Sequence, residues 1–141
     1  MTMLSDRDRQ TVQKEFESLT SPVKLTVFSQ ELGSDTCRDT ELLVREVVNC
    51  SEKLSMQVAN LVLEREKADA YGVDRVPAIV VEGAEDYGIR FYGLPGGYEF
   101  SNLIDAVVVA SSGQPALSAE TGEALAKVTT PIHIQVFTTP T

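Results

Sequence analysis

Four residues of this 141-residue chain have types and positions suited to sulfur chemistry or peptide capture: Ser34, Cys37, Val76 and Pro77. Ser34-Asp35-Thr36-Cys37 follows an apolar segment, residues 23–28, and opens a helix-like run. Val76-Pro77 precedes a second apolar segment, residues 78–81. A thiol at a helix N-terminus is acidified by unpaired backbone N–H groups and the helix dipole, which makes it nucleophilic. The residue at the head of this run is a serine, and a serine hydroxyl is not appreciably ionised near neutrality without a general base. The one histidine, His133, stands far along the chain, so Ser34 is expected to be a helix cap. Cys37 is expected to be a core residue, with weak monothiol exchange as the alternative. Cys50 lies thirteen residues further along the same helix-like run. That is roughly 20 Å at 1.5 Å per residue, against the ~7 Å limit between disulfide Cα atoms. Cys50 therefore reads as a packing residue. Pro77 alone reads as a strand-starting proline.

Other constellations are quickly set aside. Gly93, Gly96 and Gly97 match neither a Walker nor a Rossmann spacing, and they read as turn glycines that could also admit a peptide or thiol ligand. Asp35, Asp39 and Glu41 have no His or Cys partner at metal-ligand spacing, so no metal or other cofactor is expected. The net charge of −9 argues against nucleic acid or an anionic membrane as partner. No run reaches the ~18 apolar residues of a membrane helix, and the N-terminus lacks the apolar core of a secretory signal. The compartment expected is the cytoplasm. An apolar content of 43% supports a real core.

The elements that must position these residues follow from pattern and punctuation. Ser5 caps a predicted helix over residues 6–19, with Val12, Phe16 and Leu19 inward. Residues 23–28 alternate as a strand, and residues 29–33 form a loop. A helix from Ser34 or Asp35 to Cys50 buries Leu42, Leu43, Val47 and Val48. Residues 54–63 hold a second strand with Met56, Val58 and Leu61 inward, and a short helix over 64–71 ends at Gly72. Strands over 78–82 and 89–92 make a hairpin, and a helix covers 98–110. The α-β-α-β-α-β-β-α order implies parallel strands first, then a hairpin, in an α/β fold with a central mixed sheet of about four strands.

Beyond a linker over 111–115, Ser118 caps a helix to about Lys127, and residues 131–138 read as a strand. This C-terminal helix-strand extension repeats the head of the chain. Shifted by 109 residues, Leu19–Phe28 lies on Val128–Phe137, with four of ten positions identical and four more conservative. Such self-similarity marks a duplicated unit. The expected organisation is a first unit over 1–112, a linker over 113–117, and the truncated start of a second unit over 118–141. An isolated strand over 131–138 seeks an edge to pair with. It is expected to join this unit's sheet or to pair between chains as a homodimer.

Taken together these residues resemble the protein disulfide oxidoreductases, glutaredoxin-like proteins of two tandem thioredoxin folds. The stretches that carry the likeness include Ser21-Pro22-Val23-Lys24-Leu25 and Tyr71-Gly72-Val73-Asp74-Arg75-Val76-Pro77. The most specific is Arg90-Phe91-Tyr92-Gly93-Leu94-Pro95-Gly96-Gly97-Tyr98-Glu99-Phe100, and Gln135-Val136-Phe137-Thr138-Thr139-Pro140-Thr141 adds to it. A similar unit opens the flavoprotein subunit of alkyl hydroperoxide reductase. The resemblance implies a thioredoxin-like fold and thiol–disulfide exchange by the full two-unit protein. It implies a Cys-x-x-Cys site where Ser34 and Cys37 stand, so Cys37 matches the second cysteine and Ser34 marks a lost nucleophile. It also implies that Val76-Pro77 is a cis peptide presenting the Val76 backbone to an extended substrate. The implied role is a redox-degenerate unit that supports or docks a second, active one, with protein thiols or disulfides as further partners. A weak monothiol exchanger using Cys37 and a peptide-binding module at the Pro77 edge are the alternatives.

Overall fold

The computed structural model describes residues 2–30 and 34–139. Part of the predicted loop, residues 31–33, and the last two residues of the predicted second-unit segment lie outside the described residues.

Helix α1 (Asp6–Phe16) starts where Ser5 Oγ accepts the Asp8 N–H at 3.1 Å, with Asp6 and Asp8 in its positive first turn. It stops three residues earlier than the pattern predicted, because the chain tightens into i→i+3 bonds such as Leu19 N–H to Phe16 O. Leu19 is buried nonetheless. Strand β1 (Val23–Ser29) then enters the centre of the molecule and leads towards α2 (Asp35–Val48). Strand β2 (Leu54–Asn60), helix α3 (Arg65–Ala70), strands β3 (Ala78–Glu82) and β4 (Ile89–Tyr92), and helix α4 (Tyr98–Ser112) complete the body. Gly72 closes α3: at φ 67° its N–H reaches Asp69 O, and the Val73 N–H reaches Ala68 O, the paired bonds of a Schellman stop.

The sheet order is β2-β1-β3-β4. β1 runs parallel to β2 and antiparallel to β3, and β3 and β4 form the antiparallel hairpin. Alternation along β1 feeds two cores. Val23, Leu25 and Val27, with Ile79 and Val81, face α1, α2 and α4 in the larger one. Phe28, Ala78 and Val80 face the smaller one, under Ala68 and Val73. This is the thioredoxin-like α/β fold, a mixed four-stranded sheet flanked by helices. None of the described helices is long and apolar enough to cross a membrane.

Four expectations change. The deep line of α2 is Cys37, Thr40, Val44 and Val47 with Leu43 beside it; Leu42 and Val48 lie on its flank, half-buried. Val58 is 41% exposed rather than inward. It lines an open recess with Glu41 of α2, Asn60 and Glu64, while Ala59 on the opposite face is buried with Phe28. Ser111 belongs to α4 rather than to a linker. Its buried Oγ accepts the Thr20 and Ser21 N–H groups at 2.9 Å each and donates to Ser21 O at 2.7 Å, clamping α4 to the start of β1. Helix α5 (Ala119–Leu125) forms behind its Ser118 cap, but residues 131–138 form no strand. A strand needs a ladder, and no neighbouring strand in the described chain supplies one for that segment.

Candidate functional site

The ladder brings the sequence-selected residues to one end of the sheet. Phe28, one residue before the end of β1, is opposite Ala78, and Ala78 is opposite Tyr92. The Val76-Pro77 peptide and the glycine turn after Tyr92 are therefore neighbours, at the end of the sheet where β1 finishes. The Val76-Pro77 bond is cis, and the buried Pro77 carbonyl accepts the Gly93 N–H at 2.9 Å.

At the start of α2, Ser34 has extended backbone (φ −132°, ψ 97°), and its Oγ accepts the Cys37 N–H at 3.1 Å. That hydrogen bond satisfies one of the orphan donors of the helix N-terminus. The hydroxyl stands where a thiolate would draw on the same donors, and no imidazole or carboxylate is bonded to it among the described residues. Cys37, in the first turn, is 1% exposed. Its side chain lies on the deep line of α2, so the packing that forms the core also shields the sulfur. Asp35 and Arg38 pair at 3.0 Å on the outer face, where the pair adds little.

Cys50 sits at the other end of α2, half-buried, and its Sγ–H donates to Glu46 O at 3.3 Å. Burial pushes its thiol pKa up, Arg9 pulls against that and Glu46 adds to it, so the thiol form prevails. Both cysteines are free. The register thus sets Val76 and Pro77 at the end of the sheet where β1 finishes, and Ser34 and Cys37 begin the next helix in the chain, while Cys50 lies at the far end of that helix.

The Pro77 side of the site is more open. Val76 is half-buried, and among the described residues its N–H and C=O have no backbone partner. Arg75 stacks over the Tyr92 ring at 5.6 Å and pairs with Asp74 at 2.8 Å, bracketing the approach with exposed charge. The Arg75 hydrogen bond holds the Asp74 carboxyl below the usual range. Gly93 (φ 88°) and Gly97 (φ 57°) supply the left-handed conformations that the turn into α4 requires.

Two features had no signal in the spacing of residues. One is the recess of about 310 Å³ between Glu41, Val58, Asn60 and Glu64, at the open end of β2. The other is a polar network that anchors the loop running into Pro77. The Tyr71 OH donates to Glu82 at 2.9 Å, Lys24 lies 3.1 Å from Glu82, and Arg90 Nε holds Tyr71 O at 3.1 Å. Arg90 also pairs with Asp86 through both terminal guanidinium nitrogens, at 2.8 and 2.6 Å. The Glu82 and Tyr71 hydrogen bonds raise the Lys24 pKa against a smaller desolvation effect. These residues come from β1, the C-cap of α3, β3, the hairpin loop and β4, so only the fold assembles them. No group of three or more metal-ligating side chains occurs among the described residues.

No family model matches the chain. It is 28% identical over 103 residues to an NADH dehydrogenase of Bacillus subtilis (strain 168), covering 73% of this chain and 18% of that protein. By structure it is similar to the alkylhydroperoxide reductase protein AhpF of Enterococcus faecalis (V583), with a TM-score of 0.80 and 23% identity over 89% of this chain and 61% of that one. It is also similar to a protein disulfide oxidoreductase from Aeropyrum pernix K1, with a TM-score of 0.77 and 25% identity over 90% of this chain and 56% of that one. The chain spans less than two thirds of the length of each. These likenesses place the chain among thioredoxin-fold domains related to those redox proteins, without an evident Cys-x-x-Cys pair.

Proposed function

We propose that this chain is a redox-degenerate thioredoxin-like unit, the N-terminal unit of a protein disulfide oxidoreductase-like protein. Its role is to dock or support a second unit that performs thiol–disulfide exchange. One observation carries the reading: the position of the nucleophilic sulfur is held by Ser34, whose hydroxyl is spent on capping α2. Exchange requires a thiolate to attack a disulfide sulfur, with a second thiol to release the mixed disulfide. Ser34 cannot supply the first, and Cys37 is enclosed by the core. The organisation that fits is a first unit over 1–112, a linker over 113–117 and the start of a second unit over 118–141. The similar proteins named as an NADH dehydrogenase, an alkylhydroperoxide reductase and a disulfide oxidoreductase support a reductive setting for the partner unit. The cytoplasm is the compartment we assign to it.

The test is reduction of a model protein disulfide by dithiothreitol with the chain as catalyst. The wild-type chain is expected to add nothing to the uncatalysed rate, and Ser34→Cys is expected to create turnover that Cys37→Ser removes. Turnover by the wild-type chain that depends on Cys37 would instead establish the monothiol exchanger. The Val76 backbone, which has no backbone partner among the described residues, favours one second reading, a peptide-binding edge. Shifts of the Val76 amide resonance on adding extended peptides would support it, and unchanged resonances at millimolar peptide would remove it.

A further inference from the structure

Helices α1 and α4 pack against each other, but their facing stripes do not close. Asp8, Val12 and Glu15 form one side of α1, and Phe100, Ile104 and Asp105 stand across from them on α4. A groove of about 300 Å³ runs between the two helices. Val12 and Ile104 are buried and form its floor, while Asp8, Glu15 and Asp105 are exposed and form its rim. A second cavity of about 320 Å³ shares Asp8 and Phe100 with the first and continues past Leu4, Leu43 and Leu94. Both walls belong to the first unit, so the shape and the charge of the groove are set within residues 3–105.

The rim has one sign. No Lys, Arg or His lines either cavity among the described residues. Asp8 accepts the Ser5 hydroxyl, and among the described residues none of the three rim carboxylates is in an ion pair. An apolar floor under carboxylates of one sign suits a guest that brings apolar surface and positive charge together. Both walls are helices whose backbone groups are bonded internally, so a guest finds no ladder there and must satisfy its own backbone. An α-helix does so. Asp8 and Glu15 are seven residues apart, roughly 10 Å along the α1 axis, which matches two cations at i and i+7 on a guest helix lying beside α1. Lys and Arg stems can rest on the floor while their heads reach the rim. Helix α5 is not this guest, since it carries Glu120 and Glu123 and no cation.

We propose that the groove between α1 and α4 is a docking site for a basic amphipathic helix of another protein. Apolar side chains of the guest pack on Val12, Ile104 and Phe100, and its Lys or Arg residues pair with Asp8, Glu15 and Asp105. Added salt weakens the complex, because the rim pairs are screened. The proposal stands apart from the redox reading above: it uses none of Ser34, Cys37, Val76 and Pro77, so either can fail alone.

Fluorescence anisotropy with the full-length chain tests it, the probe being a labelled Leu/Lys peptide patterned as an amphipathic helix of about four turns. Amide chemical shifts locate the site. The expected result is saturable binding with shifts at residues 8–15 and 100–105. Glu15→Lys together with Asp105→Lys is expected to weaken it roughly tenfold. Glu52→Lys together with Glu66→Lys makes the same change in net charge at positions that do not line the groove, and should leave the affinity within about twofold. All four side chains are exposed and in no ion pair among the described residues, so both variants keep the fold. Equal weakening by the two double variants would overturn the proposal, since binding would then follow bulk charge. Equal binding of a Leu/Glu peptide of the same pattern would also overturn it, as would equal binding of a Lys/Ser peptide of the same charge. So would shifts confined to other surfaces, or no saturation at millimolar peptide in low salt.

Discussion

β1 and the tail segment 131–138 carry nearly the same side chains and have opposite fates. Leu25 and Val27 are 0% exposed, while Ile134 and Val136, their counterparts 109 residues later, are 81% and 79% exposed. In β1, Val23 to Ser29 have parallel partners in β2, and Lys24 to Phe28 have antiparallel partners in β3. Three helices, α1, α2 and α4, close the core over the odd-numbered residues. The tail has the alternation without the neighbours. Strand-forming side chains supply a face to bury, and the backbone becomes a strand only where other strands accept its hydrogen bonds.

The comparison can be broken most forcefully at equivalent positions. Leu25→Ala should cost ~2–5 kcal/mol in urea unfolding, the usual range for a cavity in a closed core. At concentrations where the chain is monomeric, Ile134→Ala should stay within ~0.5 kcal/mol of wild type. Comparable losses would mean that the tail is packed. Glycines give the next contrast. A Cβ at Gly83 would lie 1.9 Å from the Ala110 carbonyl oxygen, a backbone atom that α4 cannot move cheaply. Gly83→Ala should therefore cost at least the ~1–3 kcal/mol of ordinary overpacking. Gly122 in α5 has nothing within 4 Å. Gly122→Ala should raise far-UV helicity and leave the unfolding midpoint unchanged.

Hydroxyls sharpen the same division. Ser111→Ala strips the partner from two backbone N–H groups at the head of β1 and should cost ~1–3 kcal/mol. Ser118→Ala removes the cap of a helix that buries none of its residues, so it should lower helicity without moving the midpoint. The smallest effect is electrostatic. Burial raises the Glu46 pKa, but the Met3 and Leu4 N–H groups and Arg9 outweigh it and hold the carboxyl below its ordinary range. A lowered folded pKa adds stability above the unfolded value of ~4.3, and that stability is lost as pH falls through the folded value. Glu46→Gln should flatten the acid limb of the stability–pH curve below about pH 4.3.

What the chain discloses about itself follows the same line. Features set by a few adjacent residues were legible: the caps Ser5, Ser34 and Ser118, the stop at Gly72, the alternation of β1 and the hairpin bounds. Features set by distant neighbours were not. Val58 follows the pattern of an inward residue, yet it lies on the edge strand and lines an open recess. Ser111 looks like linker composition until Thr20 and Ser21 are brought to it. The anchor of Tyr71 by Lys24, Glu82 and Arg90 draws on four elements, and no spacing in the chain announces it. At the site, the residue type at Ser34 already stated the missing chemistry. The enclosure of Cys37 depended on which stripe of α2 meets the sheet, and Val44, absent from the predicted stripe, lies on the deep line that encloses it.

The most direct test of the degenerate site is the rate at which a thiol reagent labels each cysteine in the native chain, read by peptide mass. Cys37, at 1% exposure, is predicted to react only through opening of the fold, more slowly than the half-buried Cys50 and accelerated by subdenaturing urea. Labelling of Cys37 at the rate of a free thiol, insensitive to urea, would contradict the account and return this unit to the enzymes.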